Sequence, residues 1–203
     1  MSIKTICALV PLAGLSSRMG EFKPLISLCG KTLIENTIDS LICAGCEKIV
    51  AVTGFRADDV EPLLKSRYGD KIIIVRNNEF AVTDMLHSIK LGLAAMPKCD
   101  AFFLLPGDMP VIKQSTFSAL TEHRRGEKEI IFPTLSGYRK HPPLIDSDYI
   151  PDILAFEEPG GLRTFFDKYA ESIIEVPVDD EGVWVDLDTK EDYKNCKIKY
   201  ENN

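Results

Sequence analysis

Short continuous apolar runs alternate along this chain with stretches whose apolar residues recur every three or four positions. Ile6 to Val10 reads as a buried first strand. Thr32 then stands as the N-cap of a helix carrying Ile34, Ile38, Leu41 and Ile42, which closes at Gly45. Ile49 to Thr53 is the second strand, Gly54-Phe55-Arg56 a turn, and Asp58 to Arg67 a short helix. The β-branched run Ile72 to Val75 predicts a buried central strand, broken at Asn77 and Asn78. Thr83 or Asp84 opens a helix through Leu86, Ile89, Leu93 and Met96, ended near Pro97. Ala101 to Leu105 is the next strand and runs into Pro106-Gly107-Asp108-Met109-Pro110. A helix over Thr116 to Arg124 and a strand over Ile130 to Thr134 follow.

From Gly137 to Pro143 the pattern loosens into turn and breaker residues. Leu162 to Tyr169 reads as a helix, Ile173 to Val178 and Val183 to Val185 as short strands, and Thr189 to Asn195 as a closing helix. The polar tail over 197–203 is expected to fray. Alternation of this kind predicts an α/β fold, a single doubly wound domain over residues 1–203 with a largely parallel, Rossmann-like sheet. In such sheets ligands sit beyond the carboxyl ends of the strands, where the strand order reverses. That rule would bring the loop after the first strand, the Thr53-Gly54 turn and the Gly107-Asp108 turn to one edge.

Composition narrows the function. Hydrophobic residues make up 45% of 203 positions, enough for one sizeable core. No apolar run nears the roughly 20 residues that span a bilayer. Met1-Ser2-Ile3-Lys4 leads into the first strand without an apolar signal region, so neither a span nor a leader is expected. The net charge of -7 speaks against general binding of nucleic acid or membrane surfaces. A local cluster of cations on an acidic chain points instead to a compact anionic ligand. Cys7, Cys29, Cys43, Cys46, Cys99 and Cys196 are expected to be free thiols of a reducing, cytoplasmic compartment. Cys43 and Cys46 have metal-ligand spacing, but no second pair completes a site.

Candidate chemistry concentrates in Pro11 to Leu25, P-L-A-G-L-S-S-R-M-G-E-F-K-P-L. Gly14 and Gly20 permit a tight turn and close approach to a ligand. Ser16 and Ser17 add hydroxyls, the loop N–H groups can form an anion-binding concavity, and Arg18 and Lys23 add two cations. An ordinary surface loop can have this composition; the spacing sets this one apart, and it is neither the Walker loop nor the dinucleotide fingerprint. Chemistry at a bound phosphate requires reacting oxygens held in line and phosphate charge offset. Mg²⁺ commonly assists, held by one or two carboxylates together with substrate phosphates. Asp108, presented between Gly107 and Pro110, is one candidate ligand, with a turn-forming aspartate as the plain alternative. Asp186 and Asp188 alternate with apolar neighbours and share one face of an extended segment; Asp188 or Thr189 could equally cap the last helix. Arg139, Lys140 and His141 form a cationic or partly cationic cluster.

The spacing G-x-S-x-R-M-G-x-x-K resembles the signature loop of the MobA-like nucleotidyltransferases, in particular the molybdenum cofactor cytidylyltransferases. Gly14, Ser16, Arg18, Met19, Gly20 and Lys23 match, while Pro11 and Leu12 replace the usual Leu-Ala. The likeness continues through Gly54 to Val60, L-P-G-D-M-P, His141-Pro142, Gly160-Gly161-Leu162-Arg163 and the D-L-D-T-K-E-D ending. It implies a sheet of the nucleotidyltransferase type, with an NTP-binding loop over 11–25 and an acceptor-side region over about 135–170. Lys23, Arg18 and Asp108 would be the catalytic set, with Mg²⁺ held by Asp108 and Asp186. Leu12, Ala13, Gly14, Ser16, Ser17, Arg18, Lys23, Thr53 and Ser88 would hold the nucleotide, and His141 and Arg163 the acceptor. Related guanylyltransferases usually carry Gly where this chain has Ala13, so the resemblance favours CTP. The implied reaction is attack of an acceptor phosphate, that of molybdopterin cofactor, on the α-phosphorus, with release of pyrophosphate. A molybdoenzyme as eventual partner is left open. Lys140 and the segment Thr83 to Ser88 depart from the family pattern. They keep open a sugar phosphate or methylerythritol phosphate as acceptor; a nucleotide sensor without turnover is a separate alternative, against which Lys23, Arg18, Asp108 and Asp186 together speak.

Overall fold

The computed structural model of the chain describes residues 5–14, 22–185, 187 and 189–201. Strand β1 (Ile6–Pro11) is buried along its whole length. A 3₁₀ turn (Lys23–Leu25), the hairpin of β2 (Ser27–Leu28) and β3 (Lys31–Thr32), and helix α1 (Leu33–Cys43) follow. Thr32 closes a full capping box with Glu35: its hydroxyl accepts from the Glu35 N–H, and the Glu35 carboxylate accepts from the Thr32 N–H. Then come β4 (Ile49–Thr53), α2 (Ala57–Tyr68), β5 (Ile72–Arg76), α3 (Met85–Ala94), β6 (Ala101–Leu104) and α4 (Gln114–His123). The chain continues through β7 (Ile130–Leu135), β8 (Tyr138–Arg139), β9 (Leu144–Asp146), α5 (Ile150–Ala155), α6 (Gly161–Lys168) and β10 (Ile173–Pro177). A 3₁₀ turn (Glu181–Trp184) and α7 (Lys190–Glu201) complete the described chain.

The main sheet runs β10-β7-β9-β6-β1-β4-β5, with β8 paired to β7. β1 lies between β4 and β6, parallel to both, and β4 is parallel to β5. The chain therefore builds outward from β1 in both directions, and the strand order reverses at its carboxyl end. β9 is the exception, antiparallel to β6 and β7. Alternation along β1 sends Ile6, Ala8 and Val10 to a core shared with α1, α2 and α4, and Cys7 and Leu9 to a core shared with α3, α5 and α6. Helices thus cover both faces, as the alternating pattern predicts. Close packing sets the depth of α3: a Cβ on Gly92 would stand 2.7 Å from Val52 Cγ2.

Two expectations are corrected. β5 is an edge strand, not a central one. Its continuous apolar run reflects helices on both faces, since Ile74 packs into one core and Ile73 and Val75 into the other. Val183 to Val185 do not form a strand. The segment coils because the buried Asp180 carboxylate gathers the Gly182 N–H at 2.8 Å, the Lys113 N–H at 2.8 Å and the Thr116 hydroxyl at 2.6 Å. In the tail, residues 197–201 belong to α7. Cys196 and Tyr200 pack on the cluster of Leu28, Leu33 and Leu187, and the Tyr193 hydroxyl donates to Ser27 O at 2.6 Å. Among the described residues no helix is long and apolar enough to cross a membrane.

Candidate active site

The carboxyl ends of β1, β4 and β6 lie side by side, and backbone hydrogen bonds tie the loops that leave them. Leu12 N–H donates to Val52 O at 3.0 Å, Phe55 N–H to Ala13 O at 3.2 Å, and Gly107 N–H to Pro11 O at 3.3 Å. Gly54 is where two of these loops touch. A Cβ there would lie 2.7 Å from Ala13 Cβ, 2.8 Å from Ala13 O and 2.8 Å from Phe80 Cβ. Leu12 and Ala13 are buried and Gly14, the last described residue before 15–21, is exposed. Ser16, Ser17 and Arg18 fall in that stretch, outside the described residues, as does Asp186 further on.

Lys23 returns the chain to this edge. It is buried, and its Nζ lies 3.1 Å from Asp108 Oδ2, bridging 85 positions of sequence. Phe22 fixes the approach by packing edge-on to Phe55, with ring centroids 5.6 Å apart. Asp108 is set from the other side by the Gly107 carbonyl, which accepts from the Thr37 hydroxyl at 3.3 Å. Its carboxylate remains a quarter exposed and lines an adjoining cleft of about 470 Å³. One cation and one carboxylate predicted from distant stretches thus meet at the switch point of the sheet.

Two predicted nucleotide ligands have hydroxyls engaged within the protein. The Thr53 hydroxyl donates to Glu61 Oε1 at 2.7 Å. Hydrogen bonding from Arg76 holds Glu61 below the usual carboxylate range, so this acceptor stays ionised. Ser88 is buried and accepts from Asn77 Nδ2 at 3.1 Å. Asn77 also donates to the Thr83 hydroxyl at 3.0 Å and accepts from the Glu79 N–H at 2.9 Å, fixing the loop before α3.

Around the residues expected to meet an acceptor, a larger cleft of about 930 Å³ opens between α3, α6 and the end of β6. Arg163 lines it, carried by α6, whose Phe165 is buried against Tyr149 and Phe156. His141 lines it as well, but not as a cation. Burial pushes its imidazole below the ordinary range, against a hydrogen bond to the Leu104 backbone that works the other way. Its Nδ1 is buried without a partner among the described residues. Of its two neighbours, Arg139 pairs with Glu175 at 2.7 Å and Lys140 rests over the Trp184 ring, so the expected block of charge is divided. The floor of the large cleft is apolar, with Leu86, Ile89, Leu104, Phe132 and Phe166. None of these was singled out as a site residue in the sequence, because each reads as core by periodicity.

A family model for the MobA-like NTP transferase domain matches residues 8–173. The chain belongs to this family. Over 98% of its length it is 26% identical to the molybdenum cofactor cytidylyltransferase of Escherichia coli, of which it also covers 98%. It is 30% identical to a CMP-5'-(3-aminopropyl)phosphonate synthase of Streptomyces rubellomurinus over 77% of the chain, which is 27% of that longer protein. Among solved structures, a nucleotidyl transferase from Methanothermobacter superposes with a TM-score of 0.83 at 24% identity, covering 98% of both chains. Family membership makes the Lys23–Asp108 edge part of a nucleotidyltransferase, with cytidylyltransferases among its relatives.

Proposed function

We propose that this nucleotidyltransferase transfers CMP from CTP to a phosphorylated small molecule, molybdopterin cofactor, with Mg²⁺ as its metal. The observation that carries the proposal is the Lys23–Asp108 pair at 3.1 Å, placed at the switch point and open to the cleft through Asp108. The donor chemistry fits the ion. Mg²⁺ favours one or two carboxylates plus substrate phosphates over an all-protein cage. Among the described residues no group of three His, Cys, Asp or Glu forms such a cage. Asp108 would hold the metal together with Asp186, and the ion would supply charge stabilisation on the nucleotide phosphates.

The residues of the chain then divide the work. Lys23 offsets charge as a point cation, and Arg18 would add a bidentate fork for the phosphates. The backbone of Leu12, Ala13 and Gly14 lies where a base and ribose would meet the edge of the sheet. No side-chain nucleophile is required, because the acceptor phosphate is already ionised when it attacks the α-phosphorus and pyrophosphate departs. Arg163, which lines the larger cleft from the start of α6, would meet that phosphate.

A phosphonate acceptor is the second reading, favoured by the 30% identity with the Streptomyces protein. The test is thermal stabilisation by each NTP with Mg²⁺, followed by pyrophosphate release with molybdopterin and with aminoalkylphosphonates. CTP should stabilise most, and molybdopterin should support release. Stronger stabilisation by GTP, or release with phosphonates only, would refute the proposed substrates.

A further inference from the structure

We infer that Lys140 is an anion-binding residue of the Asp108 cleft, taking up the acceptor phosphate, and that Trp184 is the residue that positions it. The inference rests on the proposed phosphorylated acceptor. Lys140 stands where the chain departs from the family pattern, so family membership does not supply this role. Lys140 and Asp108 line one cleft, and both charges act on the His141 imidazole, with opposite sign. Among the described residues lining that cleft Asp108 is the one carboxylate, and it is already 3.1 Å from Lys23. Arg139, the second cation there, is offset by Glu175. Lys140 is half-buried and has no carboxylate at ion-pair distance among the described residues; its Nζ stands instead 3.3 Å from the Trp184 ring centroid. An aromatic face takes one side of an ammonium, which carries three donors, so the others stay available to a ligand.

The lysine is fixed at both ends. Its backbone N–H donates to Pro133 O at 2.8 Å, beside the β7–β8 hairpin. Trp184 is braced by Tyr138, which meets it edge-on with centroids 6.2 Å apart. It is also braced by its own turn: Asp180 accepts from the Gly182 N–H, and Gly182 lies against the Val111 backbone too closely to admit a Cβ. A cation already held loses less side-chain entropy when it binds a ligand than one that swings freely. Strand order then decides which phosphate it meets. Asp108 follows β6, with β1 and β4 of the nucleotide edge on one side. On the other side lie β9, β7 and the paired β8, which leads into Lys140. A phosphate at Lys140 therefore approaches Asp108 from the side opposite the nucleotide, as an attacking group must in an in-line transfer. The larger cleft lined by Arg163 shares Phe132, Arg139 and His141 with this one, so the acceptor's body and its phosphate can occupy adjoining spaces.

Trp184 is the chain's one tryptophan, so its emission reports on the cation that rests on it. The probe is inorganic phosphate, titrated into the full chain against chloride at equal ionic strength. Phosphate should change Trp184 emission saturably and chloride should not. By calorimetry, K140M keeps the apolar stem and should weaken phosphate binding about tenfold or more, the range for a hydrogen bond to a charged group. K140R should keep most of the affinity, and CTP affinity should be unchanged in both. W184L should lose part of the phosphate affinity by releasing the lysine, so adding W184L to K140M should cost nothing further. Unchanged phosphate affinity in K140M would overturn the inference, as would a loss of CTP affinity in that variant. A W184L loss that adds in full to that of K140M would overturn the positioning role. A chain that binds phosphate through Lys140 but is not stabilised by CTP with Mg²⁺ would instead refute the proposed nucleotide and leave Lys140 as the anion site.

Discussion

Gly54→Ala tests whether contact between loops positions the nucleotide edge. The added Cβ would meet Ala13 Cβ at 2.7 Å, and Ala13 O and Phe80 Cβ at 2.8 Å. None of these atoms is the free end of a flexible side chain, so the loop after β1 must move. Overpacking of this kind costs about 1–3 kcal/mol, and losing the Phe55 N–H bond to Ala13 O adds about 1 kcal/mol. The lower entropy of an unfolded alanine offsets about 0.4–1 kcal/mol. The net loss is about 1–3 kcal/mol, which for a chain of this size lowers Tm by roughly 3–10 °C. The assay is a thermal melt with and without CTP and Mg²⁺. The variant should melt lower and should also lose stabilisation by nucleotide, because Ala13 moves with the strain. Adding Ala13→Gly removes only the 2.7 Å contact and should restore Tm in part. A Gly54→Ala protein with wild-type Tm and wild-type response to CTP would refute the reasoning.

Arg163→Ala should raise the apparent KM for acceptor about tenfold at saturating CTP while leaving CTP affinity intact. Loss of CTP affinity with unchanged acceptor KM would move Arg163 to the nucleotide side. His141 should make stability depend on pH. Its folded imidazole titrates below the ordinary value near 6.5, so between the two values the unfolded chain binds a proton that the folded chain does not. Stability should therefore fall as pH is lowered from about 6.5, and His141→Phe should reduce that slope in melts between pH 7.5 and 5.5. An unchanged slope would contradict the buried, neutral assignment.

What the sequence disclosed follows from where its information is local. The apolar run before Pro11, the glycines and cations of 11–25, and the Thr32–Glu35 cap are written within a few positions, and periodicity separated strands from helices across most of the chain. Sheet order was not local. β5 reads as central because both its faces are covered, and β9 has only three residues, too few to show a period or an antiparallel direction. The site divides the same way. Lys23 and Asp108 were each legible as a cation on a glycine loop and a carboxylate after a strand, but their contact spans 85 positions. His141 was legible as a member of a cationic or partly cationic cluster, but its neutral state was not, since charge state depends on burial that only the fold imposes. Trp184 lay inside a stretch read as a strand, and Asp180, which coils that stretch, carries no motif at all.

The Lys23–Asp108 pair also bears on how the site loads. Across 3.1 Å each charge offsets the other, and Lys23 is the more buried of the two. A free nucleotide would be drawn to Lys23 and repelled by Asp108; a free divalent cation would meet the opposite balance. A metal–nucleotide complex satisfies both at once, with phosphate oxygens at the ammonium and the metal at the carboxylate. Binding of CTP and Mg²⁺ should therefore be synergistic, with CTP affinity at least about tenfold higher with Mg²⁺ than in chelator, a difference of about 1.4 kcal/mol. Asp108→Asn nearly keeps the shape and removes the charge, so it should abolish pyrophosphate release and shrink that ratio toward one. Part of the change should come from the chelator arm, where CTP binds better once the repelling carboxylate is gone. Calorimetric titration of both proteins, with and without Mg²⁺, measures all four affinities. If Asp108→Asn keeps the full ratio, the metal is held elsewhere and Asp108 serves only to position Lys23.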